Sequence, residues 1–308
     1  MNEITTSIKR MTLAALLVVV TSVGAWSQLL WRVNGNNAAG TSYLFGTHHV
    51  APAAMIDSVV GLPEAIATVD QVMVEVENGD LTSSDAQIKM VNHALAPADS
   101  VLTALYTPDE LAVVRDAATP LLPPPLTFDM MVYMKPVMLS TLMQTQSSAR
   151  YFPDYDPDLQ IDAAVQRRVA ERNIPVYSLE TVDDQIELLF DTPIRLQAED
   201  LLEMCRNDSV IAETAQEMAE LYRQQDLFAL WQLMTDEEDG EYDPADLDRL
   251  IFGRNRKWAE RLAIELPQHA TLVAVGAGHL PGEQGLISLL RNRGYTVEPV
   301  IPIKTIIE

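Results

Sequence analysis

Thr271-Leu272-Val273-Ala274-Val275-Gly276-Ala277-Gly278-His279 is the stretch that decides the fold class. The run from Thr271 to Val275 reads as a strand buried on both faces, as in a parallel sheet. A glycine ends it, and a histidine stands just beyond. Before it, Arg254 to Leu266 places Trp258, Ala259, Leu262, Ala263 and Leu266 at helical spacing. After it, Gly282 to Arg293 reads as a second helix with Gly294 as its C-terminal cap, and Tyr295 to Val300 as a strand. Strand, helix, strand predicts a βαβ unit with a right-handed crossover.

Working outward, the same device recurs near the other end of the chain. Tyr43-Leu44-Phe45 runs into Gly46-Thr47-His48-His49, so each half carries a G-x-x-H turn after an apolar strand. Leu29 to Val33, the turn signal Asn34-Gly35-Asn36-Asn37 and Thr41 to Phe45 predict a β-hairpin. Glu64 to Val69 is helix-like and Gln71 to Glu77 is strand-like. Asp158 to Asn173 is an amphipathic helix, Ile174 to Leu179 a strand and Asp183 to Phe190 a further helix. The expectation is an α/β fold with a central mixed, mostly parallel sheet flanked by helices.

The middle of the chain departs from that alternation. A largely helical insertion is expected over roughly 80–150 and 194–250, within one domain spanning 28–308. Leu121-Leu122-Pro123-Pro124-Pro125 must interrupt its first part, because consecutive prolines cannot continue a helix. Phe128 to Gln144 is methionine-rich and reads as ordinary helix packing. Asp236 to Glu241 reads as a solvated acidic loop without EF-hand spacing.

Residues 1–27 read as a signal peptide. Lys9-Arg10 precedes the apolar run Met11 to Val20, and Ala25-Trp26-Ser27 fits a small-x-small cleavage pattern. A periplasmic or secreted protein is expected, with no stable membrane anchor after cleavage. The only cysteine is Cys205, so no intramolecular disulfide forms, and its helical apolar context predicts a buried inert thiol. The net charge of -23 argues against nucleic acid and anionic membrane as partners.

Three of the five histidines lie in the two G-x-x-H turns. Ligands of open α/β sheets sit at the carboxyl ends of strands, and His49, Glu75, Glu180 and His279 all fall there. Two imidazoles and two carboxylates in one place are the donor types for Mn, Co, Zn or Fe with a position left for water. A carboxylate outside that set would serve as general base. Glu77 is the rival of Glu75, and Glu180 has a helix-capping alternative. His48 is expected to point away from His49 and is secondary as a ligand. Arg254 and Asn255 open the helix before the GAGH strand, with Arg254 suited to a substrate carboxylate or an oxyanion. His93 and His269 read as surface residues. No G-x-S-x-G, H-E-x-x-H, P-loop or G-x-G-x-x-G occurs.

Taken in order, these motifs resemble the TraB/GumN family, which includes the enterococcal pheromone-shutdown protein and the animal Tiki proteins. The resemblance runs through Leu30-Trp31-Arg32-Val33, Ser42 to His49, Val74-Glu75-Val76, Ile161-Asp162 and Ser178-Leu179-Glu180-Thr181 with Gln185. It continues through Arg254-Asn255, Trp258-Ala259, Val275 to Gly282 and Gly294-Tyr295 with Val297. It implies a metal site at His49, His279, Glu75 and Glu180, with His48 as an extra ligand or a variant. Glu75, Glu180, Arg254 and Asn255 are the implied catalytic positions. Tiki proteins look like divalent-metal-dependent proteases, so the implied activity is metal-dependent hydrolysis (Mn, Co or Zn) of a peptide or protein. The wider superfamily is also similar to erythromycin esterases and a haem-binding lipoprotein. The alternative is therefore a non-catalytic peptide- or haem-binding protein using the same cleft.

Overall fold

The two G-x-x-H strands are neighbours. In a computed structural model that describes residues 28–235 and 244–301, β1 is Leu30–Gly35, β2 Ser42–Thr47, β3 Gln71–Val74, β4 Val176–Ser178, β5 Thr271–Gly276 and β6 Tyr295–Pro299. They form one six-stranded sheet in the order β4-β3-β5-β2-β1-β6. The β4–β3, β3–β5 and β5–β2 pairs are parallel, whereas β1 is antiparallel to both β2 and β6. The α/β class with a mixed, mostly parallel sheet therefore holds.

The opening hairpin forms where the turn signal lies, with Gly35, Asn36 and Asn37 all at positive φ. Asparagine tolerates that region better than other residues with a Cβ. The closing unit differs in one respect. β6 runs parallel to β5 but pairs with β1, so the hairpin strands β2 and β1 lie between the two ends of the crossover. Its helix is also shorter than its apolar pattern, covering only Leu286–Asn292. Gly282 has φ +84 beneath the Trp231 ring, and a Cβ at Gly285 would stand 1.9 Å from the Pro281 carbonyl oxygen. Residues 280–285 are thus a tight turn rather than helix.

The longer helices are α1 (Leu62–Thr68), α2 (Ser84–Ala94), α3 (Pro108–Ala118), α4 (Pro136–Ala149), α5 (Ile161–Ala170) and α6 (Val182–Phe190). They continue with α7 (Ile194–Arg206), α8 (Asp208–Arg223), α9 (Leu227–Thr235), α10 (Gly253–Glu265) and α11 (Leu286–Asn292). The core over the sheet joins Leu44, Phe45, Met73 and Val273 to Trp258 and Leu262 of α10 and Val165 of α5. A second buried cluster unites α3, α4 and α7 through Val114, Leu139, Met143 and Leu201. Cys205 is buried in this cluster, and burial pushes its thiol up to about 11. The proline-rich break falls between α3 and α4. The leader reading and the acidic loop at 236–241 lie outside the described residues.

Register does the work of assembling the site. Thr47 pairs with Gly276, so both turns leave the sheet side by side. Val74 pairs with Ala274 on one side and Ser178 on the other, which places Glu75 and Glu180 in the same row. The close approach needs Gly46, where a Cβ would meet the Ala277 Cα at 3.0 Å and the Leu280 Cδ1 at 3.2 Å. At Gly278 the atom in the way is the flexible Met234 Cε at 2.8 Å. Gly46→Ala is therefore expected to cost about 1–3 kcal/mol by overpacking against backbone, and Gly278→Ala less. Urea unfolding of the two variants measures the difference.

Candidate functional site

The carboxyl ends of β4, β3, β5 and β2 present Glu180, Glu75, His279 and His49 in that order. Arg254, from the first turn of α10, reaches into the middle of this row. Its Nε donates to Glu180 Oε2 at 2.9 Å, and one terminal nitrogen donates to Glu180 Oε1 at 2.7 Å and Glu75 Oε2 at 2.5 Å. The other terminal nitrogen donates to the Leu250 carbonyl at 3.0 Å and faces His279 Nε2 at 3.1 Å. A guanidinium has five N–H donors, and all of them are engaged. Its plane also lies over the Trp258 ring, 4.6 Å from the centroid, a favourable cation–π contact.

Asn255 fixes the orientation of His279. Its Nδ2 donates to the His279 carbonyl at 3.1 Å and the Gln284 carbonyl at 2.9 Å. That leaves Asn255 Oδ1 as the acceptor 2.8 Å from His279 Nδ1. The proton therefore sits on Nδ1, and the Nε2 lone pair accepts from Arg254. His279 is 4% exposed. Burial, with Arg254 and His49 adding to it, pulls its pKa down to about 3, so the ring is neutral.

Glu75 has two kinds of support. Its Oε1 accepts the Gly276 N–H at 2.8 Å, while Oε2 faces Arg254 and, at 3.5 Å, Gln185. Burial opposes its ionisation. Charge on His279, Arg254 and His49 and the Gly276 N–H outweigh burial and hold the carboxyl well below the usual carboxylate range. With His279 neutral above about pH 3, Arg254 supplies the larger share at neutral pH. Arg254 itself is raised: burial works against its charge, and Glu180 and Glu75 outweigh it.

His49 stands apart from this network. Its side chain is 73% exposed, and Nδ1 faces Asp162 Oδ2 at 3.4 Å. Asp162 is held in turn by Thr47, whose hydroxyl donates to Oδ1 at 2.6 Å. Asp162 raises the His49 pKa toward about 9, and solvent access to the ring screens that effect. His49 Nε2 has no partner among the described residues.

The remaining candidates resolve as follows. Glu180 does not cap α6; Thr181 does, accepting from Asp184 N in a capping box. β3 stops at Val74, before both Glu75 and Glu77, and Glu77 donates its backbone N–H to the Ser178 hydroxyl at 2.8 Å. His48 lies against the Phe152 and Tyr222 rings. Its Nδ1 accepts from Val50 N, and burial with the nearby His49 lowers its pKa to about 4. Lining residues Glu180, Thr181, Asp184, Asp80, Lys89 and Arg261 enclose an open cleft of about 450 Å³ on the β4 side of the site. Asp162 and Thr47 carry no role in the sequence reading. Both stand in stretches that carry the family resemblance, Ser42 to His49 and Ile161-Asp162, but without an assigned role.

A model of the TraB/PrgY/gumN family matches residues 29–299. The chain belongs to the TraB/PrgY/gumN family. Comparison with curated proteins and with solved structures gives no match. The divalent metal implied by the family resemblance does not fit the side chains as they stand. Ligands bonded at about 2.0–2.2 Å lie no more than about 4.4 Å apart. Glu75 Oε1 and His279 Nε2 meet that spacing at 3.8 Å, but both Glu180 oxygens and the His279 Nε2 lone pair face Arg254. Among the described residues no group of three or more His, Cys, Asp or Glu side chains is placed to hold a metal.

Two outcomes are expected from this geometry. Arg254→Met leaves two poorly exposed carboxylates (13% and 9%) without their cation, which should cost about 3–5 kcal/mol of unfolding free energy. The second concerns acid. His279 and Glu75 have folded pKa values below their unfolded values of 6.5 and 4.5. Their stabilisation is therefore complete above the unfolded values and lost as pH falls through the folded ones. Unfolding free energy should decline from about pH 6.5 downward, and His279→Asn should reduce the slope between pH 6.5 and 4.5 to the part that His48, whose pKa is also lowered, contributes. Urea titrations at a series of pH values check both.

Proposed function

We propose that this TraB/PrgY/gumN protein is an exported hydrolase that cleaves peptides, with His49 as the proton-transferring group. The observation that carries the reading is the His49–Asp162–Thr47 chain. At Nδ1 an imidazole faces a carboxylate, which is itself held by a hydroxyl, and Nε2 has no partner among the described residues at the carboxyl end of the sheet. This is the arrangement of a general base backed by an orienting carboxylate. Export rests on the leader-like residues 1–27, and the peptide substrate on the family resemblance.

In this reading neutral His49 takes a proton from water at Nε2 as the oxygen attacks the peptide carbonyl carbon. The imidazolium then returns the proton to the departing amine nitrogen as the C–N bond breaks. Asp162 keeps Nδ1 protonated throughout. The carboxylates that the sequence offers as base, Glu75 and Glu180, are committed to Arg254. A Glu75 pKa held low also makes it a weak base. Arg254 has no N–H left over, so its part is to keep the row of strand ends together. No step passes through a metal.

Removing a positioned general base typically costs 10²–10⁴-fold. His49→Ala is therefore expected to lower kcat/KM on a peptide library by about that factor, with His48→Ala near wild type. The working form of His49 is the neutral one, so activity should rise with pH through its pKa. Asp162→Asn should shift that limb toward lower pH, because the raising charge is gone. Unchanged cleavage in His49→Ala would overturn the reading. A Soret band on haem titration, without turnover, would favour the binding-protein alternative instead.

A further inference from the structure

We infer that Arg254 is a tethered cation standing in the place of a divalent metal, so that Glu75, Glu180 and His279 are held by the chain itself. The inference rests on how the donors are spent and holds whether or not His49 cleaves a peptide. Both Glu180 oxygens meet two nitrogens of the Arg254 fork at 2.9 and 2.7 Å, the bidentate geometry that guanidinium and carboxylate planes share. Glu75 Oε2 meets the same fork at 2.5 Å, and the His279 Nε2 lone pair faces it at 3.1 Å.

The sequence neighbour makes this arrangement a unit. Asn255 holds His279 Nδ1, which aims Nε2 at Arg254, the residue before it. A hydrogen-bonded Nδ1 is what a metal-binding histidine normally has behind it, and here the lone pair so presented goes to a guanidinium. Trp258, one helical turn on from Arg254, covers both partners: its ring lies 4.6 Å from the guanidinium carbon and 4.5 Å from the His279 ring. A metal entering this row must displace the four N–H bonds that Arg254 makes to Glu180, Glu75 and His279, and that stacking. A divalent ion and the Arg254 charge also repel each other across it. Removing the guanidinium reverses the balance. Two ionised carboxylates and an oriented imidazole then face one another with no cation between them, which are donors suited to Mn, Co or Zn.

The test is metal uptake and thermal unfolding of the full chain after EDTA dialysis, with Mn²⁺, Co²⁺ or Zn²⁺ added back. Wild type is expected to retain no stoichiometric metal, and its Tm should move by less than about 1 °C with chelator or metal. Arg254→Ala should take up about one equivalent, and a hundredfold excess over Kd should raise its Tm by roughly 5 °C. If this variant is unfolded when metal-free, refolding on metal addition counts as the same result. Arg254→Lys is the folded control: it keeps the charge but not the fork, and is expected to melt lower than wild type without taking up metal. One tightly held equivalent in wild type, lost in His279→Ala, would overturn the inference. So would an Arg254→Ala variant that folds and takes up none.

Discussion

The arrangement at the strand ends depends on one buried cation. Arg254 is 13% exposed and sits between carboxylates that are 13% and 9% exposed. Such groups are tolerated away from water only when charge and hydrogen bonds are both satisfied. Here the guanidinium uses every N–H it has, and Glu75 adds a backbone partner at Gly276. The cost of separating any one of these groups from the others is large, so four segments far apart in sequence are held in one register. Asn255, Trp258 and His279 extend the same constraint into α10 and the GAGH turn.

The sheet explains why those segments meet at all. Parallel pairing of β4, β3, β5 and β2 sends all four carboxyl ends to one edge, where the ladder stops and side chains are released. Gly46 lets the first turn lie directly against the second. The helical part of the chain packs its own apolar cluster and contributes Glu180's neighbours to the cleft wall. His49 is left at the strand ends with solvent on one side and Asp162 on the other.

Much of this was legible in the residues. Buried strands show as unbroken apolar runs, so the β5 and β2 stretches and their glycine ends read clearly, and the hairpin announces itself through Asn34 to Asn37. The helix predicted over 282–293 begins late because Pro281, Gly282 and Gly285 impose a turn that the apolar period does not register. Glu75, Glu180, Arg254, Asn255, His49 and His279 are all picked out by strand-end position and motif. How they divide is not. Which cation a pair of carboxylates faces depends on the reach of an arginine from a helix 74 residues further along the chain. Spacing alone carries no trace of that. The pairing of Asp162 with His49 escapes for the same reason: 113 residues separate them, and an acidic residue in a first helical turn has an ordinary explanation in the helix dipole.

The most direct measurement of the central interaction is a double-mutant cycle on unfolding free energy between Arg254→Met and Glu180→Gln. Strong coupling is expected, about 1.5 kcal/mol or more, with the double variant recovering much of what Arg254→Met loses. Additivity within about 0.5 kcal/mol would contradict the account, because it would mean that the strand ends are held by something other than the Arg254 fork.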